Sequence, residues 1–279
     1  MKYYVISGEP SGDLHGSKLM RGIRHHDGAA EFRFCGGDRM AAVGGKESML
    51  YHYKQMSFFG FVQVACNLRT IFRQIADVKR DIESAIRSGE VGSFLSIRTR
   101  EEMLRLQKMS IEESRLGIPL IFGYDIIHGC RTIFPENLGM SCSWDIEAVE
   151  QYARIAAEET AAFGYHWTFS PMCDISADPR WGRVSEGSGE DPYLGAKIAA
   201  AMVRGYQGDN LSSDKTIAAC VKHFAAYGAP QAGRDYHTVD MSEVMFRNRY
   251  LPPHKAAVKA GAVTVMSSFN DLMGVPASG

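Results

Sequence analysis

The chain has 279 residues, 45% apolar and 23% charged, with 31 Lys and Arg against 32 Asp and Glu for a net charge of -1. That length supports one large domain or two modest ones, each with a real core, and the composition is ordinary for a globular protein. The balanced charge leaves no electrostatic footprint for nucleic acid or an anionic membrane, and no apolar run is long enough to span a bilayer.

The opening MKYYVISGEPSGD lacks the apolar core and small-residue cleavage site of a secretory signal, so the chain as written is expected in the cytoplasm. Residues 2–7 form a short strand-like run, followed at once by the glycine-rich stretch 8–16 and a helical pattern carrying Leu19, Met20 and Ile23. Strand, glycine-rich turn and helix in that order make the start of a Rossmann-like βα unit, where glycines let a ligand approach the backbone. The glycine spacing does not match the dinucleotide fingerprint, and no cofactor is expected. A second strand, 31–35, ends in Gly36-Gly37-Asp38, and a further pair follows at Gly44-Gly45.

Three segments, GEPSGDLHG, FRFCGGDRMAAVGG and FFGFVQVACNLRTIF, are similar to the N-terminus of lipid-A-disaccharide synthase, a two-Rossmann-domain glycosyltransferase of the B type. The resemblance covers roughly residues 1–73, with Pro10 where the family usually has Ala and Gln63 where it usually has Glu. It implies that Glu9, Ser11 and Asp13 face an acceptor sugar. That family's UDP-sugar site lies in its C-terminal domain, which nothing later in this chain resembles, so as a transferase the chain is expected to be incomplete.

After Phe72 the character changes to an amphipathic, well-charged helix over 75–88, with no Pro- or Ser-rich linker. The junction is placed near residues 73–81, dividing the chain into a Rossmann-like fragment, 1–74, and a second part, 75–279. There, five apolar, β-leaning runs (91–96, 118–125, 166–174, 216–224 and 262–270) alternate with helical patterns at 98–116, 145–164, 192–208 and 242–261. Such alternation predicts a parallel sheet covered on its outer face. Polar residues end four of the strands: Asp125, Asp174, the Lys222-His223 pair and Asn270. A (β/α) barrel gathers its ligand groups at that end. Residues 174–193, DISADPRWGRVSEGSGEDPY, are too polar and too broken by Gly and Pro for a helix or central strand, and read as a charged loop contributing ligand contacts. The six cysteines (Cys35, Cys66, Cys130, Cys142, Cys173, Cys220) show no C-x-x-C pair and read as reduced thiols. The histidines His128, His166, His237 and His254 have no spacing that recommends a metal site.

The segments GIPLIFGYDIIHGCRTIFP, ADPRWGRVSEGSGEDPYLG, ACVKHFAAYG, AGRDYHTVDMSE and VMSSFNDLMGVPASG resemble, in order, the N-terminal barrel of glycoside hydrolase family 3, the β-glucosidase and β-xylosidase group. The match covers about residues 76–279. A sugar offers only hydroxyls, so its recognition calls for carboxylates that accept and cations that donate. The resemblance implies that Asp125 accepts from two hydroxyls of the non-reducing-end sugar. Arg131 and Arg183 lie nearby, Lys222 and His223 donate to hydroxyls, and Arg234 and Tyr236 line the wall. Trp181 and Phe269 are candidates for contact with the sugar face, Phe269 standing where relatives often carry Tyr. Arg180 is expected to brace its loop through Glu186, Glu190 and Asp191, leaving Arg183 to the sugar.

Retaining hydrolysis needs two carboxyls across the scissile bond. In the family the nucleophilic Asp follows the segment that here ends at Gly279, and the acid/base comes later still, so no catalytic residue is expected in this chain. The sequence therefore predicts an incomplete TIM-type (β/α)8 barrel after a partial Rossmann-like segment, with five of eight strands, open edges and poor solubility. Its partner would be a β-glucoside or oligosaccharide, bound without turnover. The alternatives are a lipid-A-disaccharide-synthase-like transferase fragment or a non-catalytic sugar-binding remnant. Family relatives are often periplasmic or secreted.

Overall fold

Residues 2–56 and 61–277 are described by the computed structural model. Phe58 to Gly60 of the FFGFVQVACNLRTIF segment, and Ser278 and Gly279 of the last segment, lie outside them. The chain divides into two compact units, Met1–Val91 with Glu112–Gly117, and Gly92–Ile111 with Ile118–Gly279.

In the first unit, β1 (Lys2–Ile6), β2 (Glu31–Gly36) and β3 (Met49–His52) form a parallel sheet in that order, with Lys2 opposite Glu31. Helix α1 (Pro10–His26) links β1 to β2, and α2 (Asp38–Gly44) links β2 to β3. The expected glycine-rich turn is largely helix, because Pro10 sits at the first helical position, where its missing N–H costs nothing. Gly12 and Gly16 therefore act as contact points. A Cβ on Gly12 would lie 2.4 Å from Ser7 Oγ, and one on Gly16 would lie 2.7 Å from Met40 Sδ. Met20, Phe32, Phe34, Met40 and Val43 pack between the helices and the sheet. Short α3 (Tyr53–Met56) follows, and then α4 (Phe61–Arg87), a helix of 27 residues that runs unbroken through residues 73–81, where the sequence changes character.

The second unit is strand-helix alternation. Strands β4 (Ser93–Leu95), β5 (Ile121–Tyr124) and β6 (Trp167–Thr168) pair in parallel, as do β7 (Cys220–Phe224) and β8 (Thr264–Ser267). Parallel bridges from Trp167 to Ala218 and from Met172 to Lys222 join β6 to β7, so the five strands stand side by side in sequence order. The strands are shorter than the apolar runs. Pro119 cannot donate at the head of β5, and Pro171 interrupts the ladder beyond β6, offering only its carbonyl, which accepts from Lys222 N at 3.2 Å.

Between the strands lie α5 (Arg100–Lys108), α6 (Asn137–Ser141), α7 (Ile146–Phe163), α8 (Pro192–Gln207), α9 (Glu243–Met245) and α10 (Pro252–Lys259). Asp145 caps α7 by accepting from Ala148 N at 2.9 Å, and Gly164 closes it in the left-handed conformation at φ 114°. Asp191 caps α8 through Leu194 N at 2.7 Å. The main core lies between α7, α8, α10 and the sheet and includes Tyr152, Ala156, Met202, Tyr206, Val221 and Ala257. A hairpin of β9 (Asp271–Leu272) and β10 (Val275–Pro276) ends the unit. On the strands, Leu95, Ile121 and Val265 are exposed. Among the described residues no helix is long and apolar enough to cross a membrane.

Candidate functional site

The polar groups at the strand ends meet as a chain of charge pairs. Lys222, in β7, is buried, and its Nζ donates to Asp125 Oδ2 at 2.9 Å, just past the end of β5. The Asp125 side chain is 43% exposed, so the pair has one face in the interior and one in water. A buried ammonium needs such a partner, because the low-dielectric interior penalises an unpaired charge.

His223 follows Lys222 and is buried too. Its backbone N–H and its Nδ1 both meet Asp174 Oδ2, at 2.9 and 2.8 Å. Its Nε2 lies 3.2 Å from Arg183 Nη1. Arg183 is held by a two-point contact to Glu186, Nε to Oε1 at 2.8 Å and Nη2 to Oε2 at 2.6 Å. Burial opposes the guanidinium's charge, but the Glu186 carboxylate more than offsets it and holds Arg183 above its ordinary value.

A third hub is Asp235, whose Oδ1 accepts from Trp181 Nε1 at 3.0 Å, Tyr227 OH at 2.5 Å and Tyr236 N at 3.1 Å. Burial first, and Asp235 second, push the Tyr227 hydroxyl well above its ordinary value, so it remains a donor. Phe269 lies against this cluster, 5.6 Å from the His223 ring, 5.4 Å from Tyr227 and 5.3 Å from Tyr236 (centroid distances). Phe269 and Tyr236 are both more than half exposed. Together they present an apolar wall beside His223 and, across Tyr227, the Arg183 guanidinium, a mix of apolar face and donor that suits a pyranose ring.

Six of the eight site residues named from sequence are thus linked: Asp125, Lys222, His223, Arg183, Tyr236 and Phe269. Arg131 and Arg234 are exposed and form no ion pair among the described residues. Arg131 lies in a turn whose backbone N–H groups, at Arg131 and Thr132, donate to Glu159. Three expectations are corrected. Trp181 is only 2% exposed and packs edge-on to Tyr227, so it supports the loop from within and cannot stack on a ligand. Arg180 braces its loop through Asp178, whose carboxyl its hydrogen bonds hold down at about 2, while Glu186 is taken by Arg183. In the first unit, Asp13 is buried, and its carboxylate accepts from Gly37 N, Arg39 N and Met40 N at 2.7–3.1 Å. It satisfies orphan amides at the start of α2, which leaves no oxygen turned to a sugar. Sequence reasoning missed Asp235 and Tyr227 as organisers. Asp235 sits between two residues that were named, and Tyr227 lies within ACVKHFAAYG, but only the fold brings both to Trp181.

The sequence model of the glycosyl hydrolase family 3 N terminal domain matches residues 54–279, and that of lipid-A-disaccharide synthetase matches residues 3–87. A periplasmic beta-glucosidase of Salmonella typhimurium is 44% identical over 200 residues, 72% of this chain and 26% of its own length. A lysosomal beta glucosidase of Dictyostelium discoideum is 38% identical over 61% of this chain and 22% of its own. Among solved structures, a mutant beta-glucosidase from Listeria innocua in complex with laminaribiose superposes with a TM-score of 0.65 at 49% identity, covering 67% of this chain and 26% of that one. A beta-glucosidase involved in saponin metabolism from intestinal bacteria reaches 0.67 at 44% identity, covering 70% and 27%. The chain therefore spans about a quarter of the length of the relatives it matches. The family match over residues 54–279, on a unit of five parallel strands in sequence order, makes this chain a member of glycosyl hydrolase family 3, in the part that corresponds to its N-terminal domain.

Proposed function

We propose that the second unit binds the non-reducing-end glucosyl unit of a β-glucoside and holds it without hydrolysing it. The observation that carries this is the Asp125–Lys222 pair, half-buried at the ends of β5 and β7, with the Phe269–Tyr236 wall against His223, the next residue of β7. Asp125 accepts from adjacent hydroxyls, Lys222 and Arg183 donate, and Phe269 covers the apolar face; Arg131 and Arg234 complete the residues assigned to the ligand, and His223 stands behind Arg183. Hydrolysis needs a nucleophilic carboxylate and a separate acid/base. Within the network Asp125 pairs with Lys222, Asp174 with His223, Glu186 with Arg183, and Asp235 with Trp181 and Tyr227, and this reading assigns none of them to attack on the sugar. The test is release of p-nitrophenol from p-nitrophenyl-β-glucoside. Release at the background rate is expected; release that disappears in Asp125→Ala would mean that a carboxylate of this chain acts as nucleophile.

Residues 1–74 we read as a Rossmann-like fragment of separate descent, with the ancestral junction inside α4. The order of β1, β2 and β3 in a parallel sheet with helices between, and the match to the synthetase over residues 3–87, support that reading. A UDP-sugar binding to the whole chain would favour the transferase alternative; absence of binding by calorimetry is the expected result.

A further inference from the structure

His223 was expected to donate a hydrogen bond to the sugar, yet both of its ring nitrogens are engaged by protein groups. Nδ1 lies 2.8 Å from Asp174 Oδ2, and Asp174 is buried. A carboxylate only accepts, so the ring proton sits on Nδ1. Nε2 faces Arg183 Nη1 at 3.2 Å, and a guanidinium only donates, so Nε2 presents its lone pair. The backbone N–H of His223 ends on the same oxygen of Asp174 at 2.9 Å, which fixes the ring's base as well as its edge.

We propose that Asp174 is a positioning residue that locks His223 in its Nδ1–H tautomer, so that His223 holds Arg183 in place and the hydroxyl-facing cations are Arg183 and Lys222. This rests on the sugar-binding reading above. Arg183 is thereby clamped from two sides, by Glu186 across two of its nitrogens and by His223 on the third. Its remaining N–H groups point where the clamp lets them. In the other tautomer an Nε2–H would oppose the Arg183 N–H, donor against donor, and the clamp would open. Among the described residues Asp174 Oδ1 has no hydrogen-bond partner, and the carboxylate's hydrogen bonds there go to His223 through Oδ2.

The decisive measurement is the 15N NMR spectrum of the His223 ring in the whole chain at neutral pH, assigned by its loss in His223→Gln. A protonated Nδ1 and an unprotonated Nε2 are expected; an Nε2–H or doubly protonated ring overturns the proposal. Asp174→Asn keeps an acceptor oxygen and should keep the tautomer and the affinity for methyl β-glucoside. Asp174→Ala removes the acceptor, and should mix the tautomers and weaken that affinity by about tenfold, in the range of a lost hydrogen bond to a charged group. Unchanged affinity in Asp174→Ala with mixed tautomers would overturn the positioning role. An Nδ1–H ring in a chain that binds no glucoside would sink the sugar reading and leave the tautomer lock standing.

Discussion

Lys222 shows how one residue serves both stability and recognition. It is 2% exposed, and its only ionic partner among the described residues, Asp125, reaches water. In Lys222→Met the side-chain volume is kept and the charge is lost, but Asp125 stays hydrated. The cost to unfolding free energy should thus fall below that of breaking a fully buried pair, on the order of 1–2 kcal/mol in a urea titration, while glucoside affinity drops at least about tenfold. A loss of stability with no loss of affinity would assign Lys222 to the core alone. At this scale the sequence was legible where a polar residue closes an apolar run, as at Asp125 and the Lys222-His223 pair. It was not legible where one acceptor collects donors from distant segments. Trp181 and Tyr227 both donate to Asp235, 54 and 8 residues away, and no spacing rule encodes that meeting.

The helices α7 and α8 were readable nearly to the residue because their ends carry their own chemistry. Asp145 and Asp191 cap the N-termini, Pro192 opens α8, and Gly164 takes the left-handed position that closes α7. Asp191→Ala should therefore cost about 1 kcal/mol of stability, the usual worth of an N-cap, and leave glucoside binding unchanged. A shift in the urea midpoint with no change in its slope would confirm a pure capping role. The helical pattern at 242–261 is met in pieces, since the chain makes α9, a π-helix at Phe246–Tyr250, a break at Leu251 and then α10. Apolar spacing continues through that break, but Pro252 and Pro253 restart the helix because neither can donate to the preceding turn. The glycine-rich stretch at 8–16 failed for the opposite reason. Glycine there marks close approach to Ser7 and Met40 within and beside a helix, and sequence alone does not separate that use from a turn.

For the whole molecule, the five-strand sheet leaves Leu95, Ile121 and Val265 exposed on parallel strands. Exposed apolar strands template association, so sedimentation velocity should show concentration-dependent self-association, which Val265→Lys reduces without moving the urea midpoint. Stability should also fall in alkali. Burial lifts the fully buried Tyr206 hydroxyl to about 12, and burial raises Tyr152 and Tyr250 as well. Unfolded tyrosines ionise near 10. Their native preference for the proton therefore contributes in full below about pH 10 and is lost as pH rises toward 12. Urea midpoints at pH 9 and pH 11 should differ, and Tyr206→Phe should shrink the difference. The measurement that tests the central claim most directly is calorimetric titration of the whole chain with laminaribiose, beside Asp125→Ala. Saturable binding weakened at least about tenfold by the substitution is the predicted result, the loss of a charged acceptor. Equal binding by both proteins, or none by the unaltered chain, would contradict a glucosyl site built on Asp125 and Lys222.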